Sequence, residues 1–483
     1  MKAFKKISAF ILALIMLFTM SFPTLAVSEE NWDEVWSSAD GQAGIIMFVG
    51  SDESERNFSW YSEKEGDPTV TISTKKSLKN PHIFVGTCVD AVEGGVVNKV
   101  NVTDLKENTK YYYQCTSEGF KSEIYSFTTS GGSDFSAMYV TDVHITEGDE
   151  ENPNELYDTS FRFNEVFEDA LSKNDGISLI LSAGDQASSG LESEYKAMTA
   201  SDLFKGVSFA TAMGNHDRKG IAYKTFKNLP NEDTEASIRS YNGNDYWFVK
   251  GDALFLVMDS NSGNGAAHAD FVERAVEANP DVKWKIMMCH HDLYSGRIPH
   301  RESENRLLRT IWAPIADEFG IDLVLLGHSH YYTVTDVLYK NKTVEELKPE
   351  MKDPKGTVYM VSCSLGRPRD DEDIGLNDWI GFDYLTQEAT YNILDFTEDS
   401  VTVNSYELGK GTPFNTFTIT KTDDAEKEDV GLLTSIKDGF VRAVGAVYTI
   451  FNNFSCCSEL KEKGYEVSLS DYFGKYRTQK NIS

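Results

Sequence analysis

Five short polar clusters follow directly on apolar runs, and their residue types are those of metal and acid–base chemistry. Phe135–Val140 leads into Thr141-Asp142-Val143-His144, and Ile177–Leu181 into Ser182-Ala183-Gly184-Asp185. Val207–Met213 leads into Gly214-Asn215-His216-Asp217, Lys285–Cys289 into His290-His291, and Ile321–Leu326 into Gly327-His328-Ser329-His330. Each cluster alone has an ordinary explanation: an aspartate caps a turn or helix, Gly-Asn marks a turn, and paired histidines sit in a solvated loop. Together they place six of the nine histidines behind four of the five apolar runs, with aspartates behind three of them, which packing alone does not predict. Carboxylate with imidazole favours Zn, Mn, Fe or Co over Ca, which takes oxygen ligands. His-X-His directs two imidazoles differently and so can serve two ions, and a carboxylate after glycine, as in Gly184-Asp185, can bridge them. Two divalent ions about 3.5–4 Å apart can clamp the attacking and leaving oxygens of a phosphoryl displacement.

Elements that deliver such clusters to one place are buried parallel strands. The apolar runs after residue 134 alternate with helical patterns such as Phe163, Val166, Phe167, Ala170 and Leu171. Strands buried on both faces with helices between them mean an α/β domain, whose ligand crevice lies beyond the carboxyl ends of the strands. A closing β pair is expected at Tyr391–Phe396 and Val401–Tyr406. Residues 42–130 read differently: short runs rich in Val, Ile, Tyr, Phe and Thr, separated by Gly, Asp and Asn, as in a small β-sandwich. The expected organisation is a signal segment 1–26, a β-sandwich 27–132, an α/β/β/α domain 133–410, and an acidic linker with a helical tail 411–483.

Net charge is −30, with 46 Lys+Arg against 76 Asp+Glu, which argues against general nucleic-acid binding. Lys2, Lys5 and Lys6, the apolar run Ile7–Met20 and Thr24-Leu25-Ala26 read as an export signal, with an uncleaved anchor as the alternative. The tail helix (Leu432, Ile436, Phe440, Ala443, Val447) is expected to dock on the domain; membrane or partner contact is the other reading. Among six cysteines, Cys289 and Cys363 read as buried thiols, while Cys88 and Cys115 could pair only if their strands are neighbours.

Asp-X-His, Gly-Asp, Gly-Asn-His-Asp, His-His and Gly-His-X-His, in that order, resemble the calcineurin-like metallophosphoesterase superfamily. Leu105–Tyr113 and Tyr125–Thr129 resemble late strands of a fibronectin type III module, and a module of that kind ahead of the motifs resembles the purple acid phosphatase branch. The resemblance implies a first metal on Asp142, His144, Asp185 and His330, and a second on Asp185, Asn215, His290 and His328. It implies a bridging hydroxide that attacks phosphorus in line, with His216 donating a proton to the leaving group and Asp217 orienting His216. Two departures stand out. Purple phosphatases carry tyrosine at the position of Ser188 and glycine at that of His144, so a ferric, phenolate-ligated site is not expected. Secondary candidates for substrate contact are Arg218, His291, Tyr294 and Arg297. The expected activity is hydrolysis of a small phosphorylated substrate, mono- or diester. The alternatives are a nucleotide or cyclic-nucleotide phosphodiesterase, and an inactive cell-surface binding protein.

Overall fold

The computed structural model describes residues 29–233, 245–294, 302–368 and 377–422. The expected signal segment, Arg297, the Asp423–Asp429 linker, the tail helix and the Cys456–Cys457 pair lie outside the described residues.

Two mixed sheets face each other. The strands Phe135–Val140, Ile177–Ser182 and Ser208–Thr211 lie side by side and parallel in the larger sheet. Ala253–Val257, Trp284–Met288, Leu323–Leu326 and Val358–Val361 run parallel in the smaller one. Alternation within one strand shows how the layers stack. Phe255 and Val257 enter the core between the sheets, where Phe255 meets Phe135 and Phe396 of the other sheet at ring distances of 6.2 and 5.7 Å. Leu254 and Leu256 enter a second core beneath the helices Gly265–Ala278 and Glu302–Phe319. Strands so covered on both faces must be apolar throughout, which is why these segments are continuous hydrophobic runs.

The helix Glu155–Lys173 covers the larger sheet. It buries Phe163, Val166, Phe167 and Ala170 at helical spacing, with Glu155 and Asp158 in its first turn and Lys173 in its last, complementing the dipole. The N–H of Asn174 closes it on the Ala170 carbonyl.

The N-terminal region is a β-sandwich with its own core of Phe58, Trp60, Val70, Val100, Tyr113 and Phe127. One of its sheets is not separate. Ile46–Val49 pairs in parallel with Ser208–Thr211, so Arg56–Ser62, Val96–Val102 and Thr87–Asp90 extend the larger sheet to eleven strands. At the other end, Thr390–Phe396 and Ser400–Glu407 form the expected pair, and Asn415–Thr420 adds a further antiparallel strand. The sheet therefore runs past residue 410, where the tail was expected to begin. The four cysteines among the described residues are thiols, so Cys88 and Cys115 do not pair.

Candidate metal centre

Three of the five clusters leave adjacent strands of the larger sheet and two leave adjacent strands of the smaller one. Backbone bonds continue the first two strands beyond their ends: His144 N donates to Asp185 O and Ile145 N to Gln186 O, at 3.0 and 2.9 Å. Across the sheets, His328 N donates to Asp142 Oδ2 at 2.8 Å. The motif glycines permit these approaches. A Cβ on Gly214 would stand 2.0 Å from Asp185 Oδ1, and one on Gly327 would stand 1.9 Å from Thr141 Oγ1.

The rim brings the expected residues together in two groups. In the first, His330 Nε2 and His144 Nε2 lie 3.1 and 3.7 Å from Asp142 Oδ1, and 3.3 Å from each other. His330 Nδ1 faces the Arg367 carbonyl at 2.7 Å, so it carries the proton and Nε2 presents a bare lone pair. In the second, His290 Nδ1 faces the Ala183 carbonyl at 2.9 Å, leaving Nε2 bare toward Asn215 Oδ1 at 3.0 Å and Asp185 Oδ2 at 3.2 Å. Lone pairs converging on lone pairs repel unless a proton or a cation lies between them. Asp142 Oδ1 is buried and accepts no hydrogen bond of regular geometry. The donor set is therefore that of a divalent-metal site, and Asp142, His144 and His330 group within ligating reach, as do Asp142, Asp185 and His290.

Without an ion, protons answer the same charges. Burial opposes ionisation of Asp185, but the His290 and His216 imidazoles outweigh it and hold the carboxyl well below its ordinary value. Burial likewise opposes a charge on His290, yet the Asp185 carboxylate overrides it and pushes the imidazole up to about 9. His144, where burial dominates, falls to about 3.

His216 stands at the junction of the groups, its ring 4.8 Å from that of His144 and its Nε2 4.0 Å from Asp185 Oδ2. Its Nδ1 lies 2.7 Å from the Ser188 carbonyl and 2.8 Å from Lys219 Nζ. This corrects the role expected for Asp217. That carboxylate accepts from Gly214 N, Ala187 N and Tyr195 OH at 2.8, 3.1 and 2.9 Å, so it ties the loop behind His216 instead of holding the ring. Asp217 is buried beside Asp185, and burial with that like charge raises its carboxyl to about 7.

The His328 ring lies 5.1 Å from that of His290. Its Nε2 lies 3.5 Å from Glu304 Oε2, and it groups with His291 and Glu304. Among the secondary candidates, Tyr294 is buried and donates to Asn341 Oδ1 at 2.7 Å, and His291 is buried with Nδ1 at Ser260 Oγ. Arg218 is buried. Sequence reasoning missed Glu304 and Arg367. The first sits within a helix with no motif around it. The second follows the run Thr357–Val361 and would have been found by reading the polar residues behind that run too.

Residues 135–332 match the calcineurin-like phosphoesterase family, and residues 42–129 match the purple acid phosphatase N-terminal domain. Among solved structures, purple acid phosphatase PPD1 from yellow lupin (Lupinus luteus) seeds superposes with a TM-score of 0.64 at 16 % identity, over 79 % of this chain and 74 % of that one. PhoD superposes with a TM-score of 0.55 at 10 % identity, over 86 % of this chain and 99 % of that one. No curated protein matches the sequence significantly. With both domains matched in order and the Asp/His clusters gathered at one rim, the chain carries a purple acid phosphatase N-terminal domain followed by a calcineurin-like phosphoesterase domain, and is a metal-dependent phosphatase of that kind.

Proposed function

We propose that this chain is an exported phosphoesterase working with two divalent ions. The observation that carries the reading is the convergence of bare imidazole nitrogens on carboxylate oxygens at the strand ends. Asp142, His144, Asp185 and His330 would hold one ion, and Asp185, Asn215, His290 and His328 the other. Bound there, Mn, Zn, Fe or Co would neutralise phosphate oxygens and acidify a water.

The chain's own residues do the rest. Asp185, anchored through the bond from His216 N to its Oδ1 at 2.7 Å, stands between the two groups and fixes their spacing. His216, its Nδ1 held by Ser188, turns Nε2 toward the site and can deliver a proton to a leaving oxygen. Asp217 keeps the loop that carries it in register with the Ala187 loop. None of the proposed ligands comes from the N-terminal sandwich, which supports the catalytic sheet through Ile46–Val49. Export rests on the first 26 residues, Met1 to Ala26; among the described residues no helix is long and apolar enough to cross a membrane.

The test is metal analysis of the purified protein, followed by assay on p-nitrophenyl phosphate and bis(p-nitrophenyl) phosphate. Turnover is expected, lost on chelation and restored by one of the four metals. Metal-loaded protein that turns over neither ester would overturn the reading in favour of a binding protein.

A further inference from the structure

The loop Ser362–Arg367, beyond the strand Val358–Val361, is bound tightly to the first ligand group. Leu365 N donates to Thr141 O at 3.1 Å and Gly366 N to Asp142 O at 3.0 Å. Ser364 Oγ donates to Asp142 O at 2.8 Å and accepts from Arg367 N at 2.8 Å. The Arg367 carbonyl holds His330, as described above. Its side chain then crosses to the opposite wall, where Nη2 lies 3.2 Å from Ser188 Oγ and 3.3 Å from Thr146 Oγ1. Ser188 Oγ is in turn 3.3 Å from His144 Nδ1, and the Ser188 carbonyl holds His216. An exposed guanidinium thus spans the mouth one hydroxyl away from His144, with its remaining N–H groups unengaged among the described residues. Serine at 188 is what leaves room for it; a large side chain there would occupy the space where Nη2 docks.

Resting on the hydrolase reading, we propose that Arg367 is a specificity-determining residue that binds the non-bridging oxygens of a phosphate monoester. A guanidinium presents parallel N–H donors that match two oxygens of a dianionic phosphoryl group. A monoester offers those oxygens and the second negative charge. A diester places an organic group there and carries one charge, so it meets an unfilled donor and a crowded wall of Thr146 and Ser188. The assembly selects by charge and by the number of terminal oxygens, whatever the group beyond the ester oxygen.

The test compares wild type, Arg367→Gln and Arg367→Lys, each loaded with Mn. Both substitutions keep the carbonyl that holds His330. Calorimetric titration with inorganic phosphate, at a pH where it is the dianion, should show Arg367→Gln weakened by about tenfold or more, and Arg367→Lys by less. Affinity for dimethyl phosphate should change by no more than about threefold, because a single charge and two blocked oxygens leave the fork little to bind. Two metals per chain should remain in all three proteins. Where turnover is measured, kcat/KM for p-nitrophenyl phosphate should fall in Arg367→Gln while that for the bis ester holds. Equal losses for the two ligands, unchanged phosphate affinity, or loss of metal would each overturn the assignment. A wild type that binds phosphate through Arg367 yet turns over nothing would instead defeat the hydrolase reading and leave this one standing.

Discussion

The N-terminal sandwich and the phosphoesterase rim both contain non-glycine residues with left-handed backbone, and use them differently. In the sandwich, Leu78, Asn80, Asp104 and Asn108 take φ of 49 to 59° in turns between strands. At the rim, Asp142, His144, Asp185, His328 and His330 take φ of 49 to 72°, all just past strand ends. The first set lets a chain reverse. The second aims side chains that an ordinary strand end would send elsewhere. Each such residue costs on the order of 1–3 kcal/mol and persists only where its surroundings over-determine it. The crossed bonds of the 142–145 and 185–188 loops do this at the rim. An αL aspartate or asparagine in a turn is an economy of folding; a row of αL aspartates and histidines facing one another marks a site.

The matched pair Asp185→Asn and Asp104→Asn tests this contrast most severely. Asn keeps left-handed backbone and similar hydrogen bonding at both positions but removes the charge. At 185, metal content should fall below two per chain and turnover by roughly 10³-fold or more, since the carboxylate proposed to serve both ions is lost. At 104, metal and turnover should be unchanged. Metal counting with steady-state kinetics reads both, and an Asp185→Asn protein with full metal content would break the comparison.

His216→Asn separates chemistry from ligation within the rim itself. With both ions retained, kcat should fall by about 10²–10⁴-fold if His216 is the proton donor. Joint loss of metal and turnover, as with Asp185→Asn, would move His216 into the ligand set; its place with His144 and Asp185 makes this a real contest.

The contrast also shows why some features were legible in the sequence and others were not. Strands buried on both faces announce themselves, and Phe135–Val140 runs between the same residues in sequence and structure. Polar residues behind them are then placed at a rim by topology alone, so Asp142, Asp185, Asn215 and His290 needed only spacing to be found. The parallel pairing of Phe48 with Phe209 could not be found that way, because Ile46–Val49 looks like any sandwich strand. Asp217 is a different case: the resemblance implied that it orients His216, whereas its three donors come from residues 187, 195 and 214.

The seam between the two regions makes a smaller, pH-dependent prediction. Glu53 bonds Lys250 at 2.6 Å, Arg56 at 2.8 Å and Ser130 N at 2.6 Å, tying the sandwich to the smaller catalytic sheet. Burial works against its charge, but Arg56 and Lys250 prevail and hold its carboxyl at about 2 against 4.5. Because the folded pKa is depressed, the unfolded chain takes up the proton first as pH falls. The contribution is full above about 4.5 and is lost progressively down to about 2; a shift of this size corresponds to about 3 kcal/mol. Glu53→Gln should be less stable by roughly that much at neutral pH, with the difference closing across the acid window. Urea midpoints of the two proteins that run parallel from neutrality to acid would show that the seam carries no such charge linkage.

The smallest expected effect is an absence of colour, and it turns on the same wall that Arg367 crosses. In the purple relatives that this chain resembles, the colour is charge transfer from a tyrosine phenolate to ferric iron. Here Ser188 occupies that position, with a guanidinium docked on its hydroxyl, and His144 supplies a neutral imidazole instead. Imidazole suits divalent ions, and it gives up the anionic oxygen that stabilises Fe(III). Tyr195 is no substitute: its hydroxyl donates to Asp217 Oδ1, and burial followed by the Asp217 charge pushes its pKa well above the ordinary phenol value. A phenolate there is doubly disfavoured. Iron-loaded, oxidised protein should therefore show no visible charge-transfer band. A visible band in the wild type that vanishes on reduction would mean that a phenolate does reach the ion, and that His144 does not define the first group.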